Sequence, residues 1–325
     1  MTSTGALIEE RLSSGSIVSG RLLASELGVS RTAVFKHIAR LRRDGYSIGS
    51  LHGQGYRLEP RFDGLLPLEI RNRLTTRTFG RAIEMLESAE STQILLRRRA
   101  EEGAPEGLVV VALEQRAGRG RGGRAWHSPR GGLWFSLLLR PKIPMRELYM
   151  LTLIFGIAVT RALKQWGLEP RLKWPNDILV GEMKVCGILL ETSGEPDRAE
   201  FVVVGIGVNA NFPAACLPEE ARPTSATILD LLGEKIDRAA LLGAILSESE
   251  ALYGQASSGG FGPIVREWKA TSCTIGSEVV ISSLGREIRG LAVDIGTDGA
   301  LVVQTSNGLE RVYSGNLSYS KRKGA

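Results

Sequence analysis

The sequence predicts an α+β protein in three parts: an N-terminal helix-turn-helix with a hairpin wing, a central mixed sheet with helices, and a small C-terminal β-barrel. Three observations predict it. Amphipathic helical spacings precede a glycine-turned hairpin in residues 1–58. Apolar β-branched runs then alternate with helical segments up to Asn209. From about Cys273, short strand-like segments are separated by Leu284-Gly285, Asp298-Gly299 and Asn307-Gly308, which are tight-turn signals. The boundaries read as 1–62, 63–272 and 273–325.

In the first part, Ile8 and Leu12 sit four apart, as do Leu23 and Leu27, which predicts two short helices. Gly28 ends the second. Ser30 can cap a third helix from Arg31 to about Arg43, whose apolar seam is Val34, Ile38 and Leu41. Ser30, Arg31, Thr32, Lys36, His37 and Arg40 are its candidate DNA contacts, and the helix carries no acid. Two alternating segments around Gly53 and Gly55 read as the wing. The alternative is a basic three-helix packing module with a solvated face. Basic residues, turn and wing occurring together favour DNA.

Pro60 to Pro67 reads as a linker. Helix-prone segments follow at 67–74 and 90–103, with a strand from Ile83 between them. Ser91-Thr92-Gln93 sits where that strand meets the second helix, and its hydroxyls can cap the helix or hydrogen-bond a ligand. Leu108–Leu113 and Leu133–Leu139 read as buried strands.

Between them lies Gln115-Arg-Ala-Gly-Arg-Gly-Arg-Gly-Gly-Arg-Ala-Trp126, with arginines at 116, 119, 121 and 124. Glycine permits positive φ and close approach of backbone to a ligand, and arginine offers a planar, permanently charged fork for carboxylate or phosphate. Composition alone fits either an anion cradle or a loose nucleic-acid linker. A linker is not wedged between two core strands, so the cradle is favoured; empty, its like charges and glycines should leave it mobile. The glycines also match GxGxxG, but a strand follows rather than a helix, which argues against a dinucleotide site.

A long helix at 146–166 precedes Lys173-Trp-Pro-Asn-Asp177, a turn presenting a cation, an amide and a carboxylate. Any one of them alone would be an ordinary surface turn. Lys184 stands at the mouth of the strand Lys184–Glu191, either as a plain terminator or as a second anion anchor. Gly205 and Gly207 in the next strand imply close approach of a neighbour or ligand. Helices are expected at 224–232, 237–254 and 260–270. The chain ends in a basic tail.

Length and composition bound the rest. The 325 residues suffice for two or three domains, and 43% apolar with 23% charged residues is ordinary for a globular protein. A net charge of +6 is compatible with a polyanionic partner without identifying one. No apolar run is long enough to span a membrane, and the first residues lack signal-peptide order, so a cytoplasmic location is expected. Cys186, Cys216 and Cys273 suggest neither a disulfide framework nor a zinc site.

Ser91-Thr92, the Gly118–Trp126 loop, Lys173-Trp-Pro-Asn-Asp177 and Lys184-x-x-Gly187-Ile-Leu…Glu191 together resemble the biotin–protein ligases, in the form that doubles as the biotin operon repressor. The resemblance covers essentially the whole chain. It implies a class II aminoacyl-tRNA synthetase-like core, an SH3-like C-terminal barrel, and two steps. Biotin and ATP give biotinyl-5′-AMP, and a lysine of the biotin carboxyl carrier protein then takes the biotin. By similarity, Ser91, Thr92, Gln93, Gln115, Arg119, Gly120, Arg121 and Lys184 would bind biotin, and Lys173, Asn176, Arg119, Arg121 and Arg124 the nucleotide. Lys184, Arg119, Arg121 and Asp177 would carry the chemistry, with Asp177 holding Mg²⁺ or activating the attacking amine. An adenylate-bound homodimer would bind operator DNA. Gln93 departs from the usual asparagine, Gly122 from a common arginine, and the segment 211–227 matches poorly beyond Thr224-Ser225 as a packing point. A lipoate–protein ligase and a non-catalytic winged-helix sensor of a small carboxylate remain the alternatives.

Overall fold

The computed structural model describes residues 4–12, 14–51, 53–59, 63, 65–195, 198–283 and 285–319. Pro60 of the expected linker, Leu284 of one expected turn and the basic tail lie outside them. Two compact units emerge: residues up to Thr75 with Asp237–Gly243, and Thr76–Ile236 with the chain from Ala244 on.

In the first unit, α1 (Thr4–Leu12), α2 (Gly20–Glu26) and α3 (Arg31–Arg43) are followed by β1 (Ile48–Leu51), β2 (Gly55–Leu58) and α4 (Pro67–Arg71). Ser30 caps α3 as its sequence implies, its Oγ accepting from Ala33 N at 3.1 Å. Gly28 turns the chain between α2 and α3 at φ +63°. Val34, Ile38 and Leu41 are buried with Ile8, Leu12, Leu23 and Leu58, so the seam does form the core. β1 and β2 pair antiparallel from Ile48–Leu58 to Leu51–Gly55. Arg42 fastens that wing to α3, its Nη2 donating to Ile48 O at 2.6 Å and Ser50 Oγ at 2.8 Å.

The second unit is built on a seven-stranded mixed sheet. Its elements are β3 (Ile83–Leu86), α5 (Thr92–Glu101), β4 (Val109–Ala112), β5 (Leu133–Leu139), α6 (Tyr149–Lys164), β6 (Pro170–Lys173), β7 (Asp177–Val180), β8 (Met183–Glu195) and β9 (Arg198–Val208). The order across the sheet is β3-β4-β5-β9-β8-β7-β6. Only β3 and β4 run parallel, joined through α5; the other neighbours are antiparallel. β4 and β5 are buried along their whole length, which is why they read as unbroken apolar runs. α5 packs on β4, β5 and β9, and α6 on β6, β7 and β8.

β6 escaped the sequence reading because it is a four-residue edge strand that opens on a proline. The expected helix at 224–232 is a 3₁₀ turn, Arg222–Thr224, and then α7 (Ile228–Leu232), divided where Thr227 caps α7 through Asp230 N. α8 (Arg238–Gly259) and α9 (Gly262–Thr271) complete the helices. No helix among the described residues is long and apolar enough to cross a membrane.

The C-terminal part is a five-stranded antiparallel sheet of β10 (Glu278–Ser283), β11 (Arg286–Ile295), β12 (Leu301–Thr305), β13 (Gly308–Val312) and β14 (Asn316–Tyr319). Its order is β13-β12-β11-β10-β14, with a bulge between Ala292 and Asp294 that bends β11. β13 and β14 stand at the two ends of this order. The sequence reading stopped at β13 and missed β14.

Candidate active site

The arginine-glycine stretch folds into a tight hairpin. Trp126 N donates to Gly118 O at 2.8 Å and Gly120 N to Arg124 O at 2.7 Å. The tip, Arg121–Gly123, is a 3₁₀ turn with Gly122 and Gly123 at φ +65° and +76°, where side chains other than glycine are strained. A Cβ on Gly118 would lie 2.4 Å from Trp126 O. Two of the hairpin's cations reach the chain at the start of β14. Arg121 Nη1 donates to Gly315 O at 3.3 Å, and Arg124 Nη2 to Asn316 Oδ1 at 2.6 Å.

The hairpin covers a cavity of about 1210 Å³. All residues predicted to bind biotin or nucleotide line it, from Ser91 and Gln115 to Arg124, Asn176 and Lys184, and so does Asp177, predicted to serve the chemistry. Its floor is glycine. A Cβ on Gly207 would stand 2.5 Å from Trp126 Nε1, and one on Gly187 3.0 Å from the same ring. The neighbour anticipated at Gly205 is Gln93, whose Oε1 is 2.4 Å from where a Cβ would be.

At one end the polar groups form a connected set. Gln115 Oε1 accepts from Thr92 N at 2.8 Å and from Thr92 Oγ1 at 3.1 Å, and its Nε2 donates to Ser128 Oγ at 2.8 Å. Thr92 Oγ1 also meets Ser136 Oγ at 2.8 Å. Ser91 begins α5 without a side-chain cap, and its buried Oγ has no partner among the described residues. A buried hydroxyl left so is costly, which marks it as free for a ligand. Gln93 behaves otherwise. Its Nε2 donates to Val203 O at 3.0 Å and Leu189 O at 3.4 Å, and its Oε1 accepts from Ser136 Oγ at 3.1 Å. The longer side chain reaches through to β8 and β9 and ties α5 to the sheet.

At the other end the cations converge. Lys184 Nζ is 2.6 Å from Asp177 Oδ1 and 4.8 Å from the centre of the Trp126 ring. Arg119 Nη1 is 3.2 Å from Glu191 Oε1. Arg121 Nη1 reaches Asn176 Oδ1 at 3.4 Å, while Asn176 Nδ2 donates to Ile188 O at 2.6 Å. Burial lowers the pKa of Arg121, with Asp177 opposing and Arg124 adding to the shift. Lys173 Nζ lies 5.0 Å from the Tyr319 ring centre. Such partly desolvated cations interact more strongly with an incoming anion than they would in water.

The segment 209–229 borders this end. Lys184 and Ser225 form a parallel bridge, and Ala226 N donates to Lys184 O at 3.0 Å, so Thr224-Ser225 is a packing point on the lysine strand. The sequence reading missed Ser128 and Tyr319 at the cavity, and Asn316 and the Gly315 carbonyl as partners of the hairpin arginines. Trp126 was visible in the motif, but its contact with Gly187 and Gly207 was not.

Among the described residues no group of three or more His, Cys, Asp and Glu side chains is placed to hold an ion, and the Asp177 carboxylate is paired with Lys184.

In the first unit, Arg31, Thr32, Lys36 and Arg40 are exposed on α3. Ser30 is engaged as the cap. His37 is corrected as a DNA contact. It turns towards α1, its Nε2 3.6 Å from Glu9 Oε1 and its ring against Gly5.

Comparisons with known proteins bear on family and fold. The Biotin/lipoate A/B protein ligase family model matches residues 85–209, an HTH domain 6–57, and the Biotin protein ligase C terminal domain 274–318. The chain is 38% identical to the bifunctional ligase/repressor BirA of Bacillus spizizenii, over 96% of this chain and 97% of that one. It is 31% identical to the protein of the same name from Escherichia coli, over 94% of each. A biotin protein ligase from Aquifex aeolicus solved with biotin and ATP superposes with a TM-score of 0.65 at 31% identity, over 74% of this chain and 99% of that one.

Proposed function

The chain belongs to the biotin/lipoate A/B protein ligase family, and from that premise we propose that it is an ATP-dependent biotin–[acetyl-CoA-carboxylase] ligase that also acts as a repressor. One observation carries the reading. The hairpin arginines, Lys184 and the unpartnered Ser91 hydroxyl line a single cavity, so an anion site and a hydrogen-bonding site for a neutral ring share one space.

A carboxylate is a poor electrophile and must be activated. A biotin carboxylate oxygen attacks the α-phosphorus of ATP, forming the acyl–phosphate bond as the bond to the bridging oxygen breaks and pyrophosphate leaves. Two anions meet in this step, so it needs positive charge placed beforehand. Arg119 and Arg121 neutralise the carboxylate and phosphate oxygens, and Lys184 the charge shared between them. Arg124, Asn176 and Lys173 serve the nucleotide side. Ser91, Thr92, Gln115 and the Gly120 backbone hold the biotin.

In the second step the unprotonated amine of a carrier lysine attacks the acyl carbon, the amide forms, and AMP leaves. The amine, with an ordinary pKa of about 10.4, gives up its proton first, and Asp177 is the carboxylate nearest to receive it once Lys184 has turned to the substrate anion. Mg²⁺ would come with the phosphates of ATP, and no step here depends on it.

The repressor activity belongs to α3 and the wing. We assign DNA binding to residues 1–62, catalysis to 63–272 and a capping role to 273–325. The adenylate-loaded form is a cytoplasmic homodimer on an operator. The test is incubation with ATP, biotin and a biotin carboxyl carrier domain, read by the mass of the carrier. A gain of one biotinyl group supports the ligase. An unchanged carrier favours a non-catalytic sensor, and modification only with lipoate favours a lipoate ligase.

A further inference from the structure

α3 carries one feature that neither its charge nor its packing uses. Phe35 is 57% exposed, and it is the only large apolar side chain so exposed on this helix. The core seam of Val34, Ile38 and Leu41 leaves it on the flank. It stands four residues after Arg31 and three after Thr32, so helical geometry places it beside both, with Ala39 one turn further. Lys36 is the next residue. Arg31, Thr32 and Lys36 are all exposed, and α3 holds no acidic residue.

A phenyl ring among cations on an otherwise polar face suits a polyanion that also presents apolar groups. The major groove of B-DNA admits a helix, and its one apolar base-edge group is the thymine C5-methyl. We propose that Phe35 is a specificity-determining residue that reads a thymine methyl in the major groove, while Arg31, Lys36 and Arg40 hold the phosphates. This rests on the DNA-binding reading of α3.

The experiment uses the full-length protein with biotin and ATP. Duplexes are selected from a random library, and each thymine of the selected sequence is then replaced singly by deoxyuridine, which removes only the methyl. For the wild-type protein, at least one thymine per half-site should weaken binding about three- to fivefold, the size of one buried methyl group. Phe35→Ala should bind equally to both duplexes at that position, and Phe35→Leu should fall between. A wild-type protein indifferent to every replacement, or a Phe35→Ala variant that keeps the full methyl effect, overturns the inference and leaves DNA binding intact. If no duplex is enriched, the DNA-binding reading fails, and the inference with it.

Discussion

Lys184 and Asp177 form an ion pair at 2.6 Å inside the cavity, with the ammonium group held over Trp126. The lysine is therefore pre-placed, and a substrate anion must compete with an internal carboxylate for it. Lys184→Ala should slow adenylate formation about 100-fold, the scale of losing one transition-state charge contact. Transfer from pre-made adenylate should fall much less. Pyrophosphate release and single-turnover transfer separate the two steps, and equal losses in both would count against the assigned role.

Gly207 makes room for Trp126. Its Cβ position lies 2.5 Å from Nε1 and 2.9 Å from Cε2 of that ring, so Gly207→Ala must push the indole off the floor. The expected cost is about 1–3 kcal/mol of stability, as for other overpacked sites, together with a raised KM. Thermal unfolding and steady-state kinetics read the two effects. An unchanged melting temperature would mean the ring is not seated there.

On α3 the charges should be separable from the core. Lys36→Ala should reduce the slope of log affinity against log salt by about 1, the mark of one lost phosphate contact. His37→Ala should leave that slope alone and lower the melting temperature instead, since His37 packs against α1. A change of slope in His37→Ala would return this residue to the DNA face.

Asp298 lies in the turn between β11 and β12. Burial pushes its pKa up, but hydrogen bonds from Tyr313, Arg311 and the Ala300 amide outweigh that and hold it at about 2. An unfolded aspartate titrates near about 3.9. A depressed folded pKa stabilises the fold above the unfolded value and loses that contribution as pH falls through the folded one. Asp298→Asn should therefore melt lower than the wild type at neutral pH, and the gap should close between about pH 4 and pH 2. A gap that stays constant across this range would contradict the pairing.

Much of the fold was legible because its signals are local. Leu133–Leu139 coincides with β5 and Arg31–Arg43 with α3, since an unbroken apolar run and a cap followed by a 3.6-residue seam each point to one structure. β6 and β14 were not legible: each is four residues long and lies at a sheet edge, where a neighbour decides pairing and periodicity does not. The site divided the same way. Types and spacing pointed to Arg119, Arg121 and Lys184. What spacing cannot carry is where a side chain's hydrogen bonds go. Gln93 reaches β8 and β9, His37 turns to α1, and Asn316 holds Arg124 from nearly two hundred residues away.

The central claim is that Arg119, Arg121 and Lys184 together neutralise two oxyanions while they join. A crystal structure of the protein with biotinyl-5′-AMP tests it most directly. The guanidinium groups of Arg119 and Arg121 and the Lys184 ammonium should lie within about 3 Å of the acyl and phosphate oxygens. Lys184 should then have left Asp177, and Arg119 should have left Glu191. Guanidinium groups turned to solvent, with both internal ion pairs intact beside a bound adenylate, would contradict it.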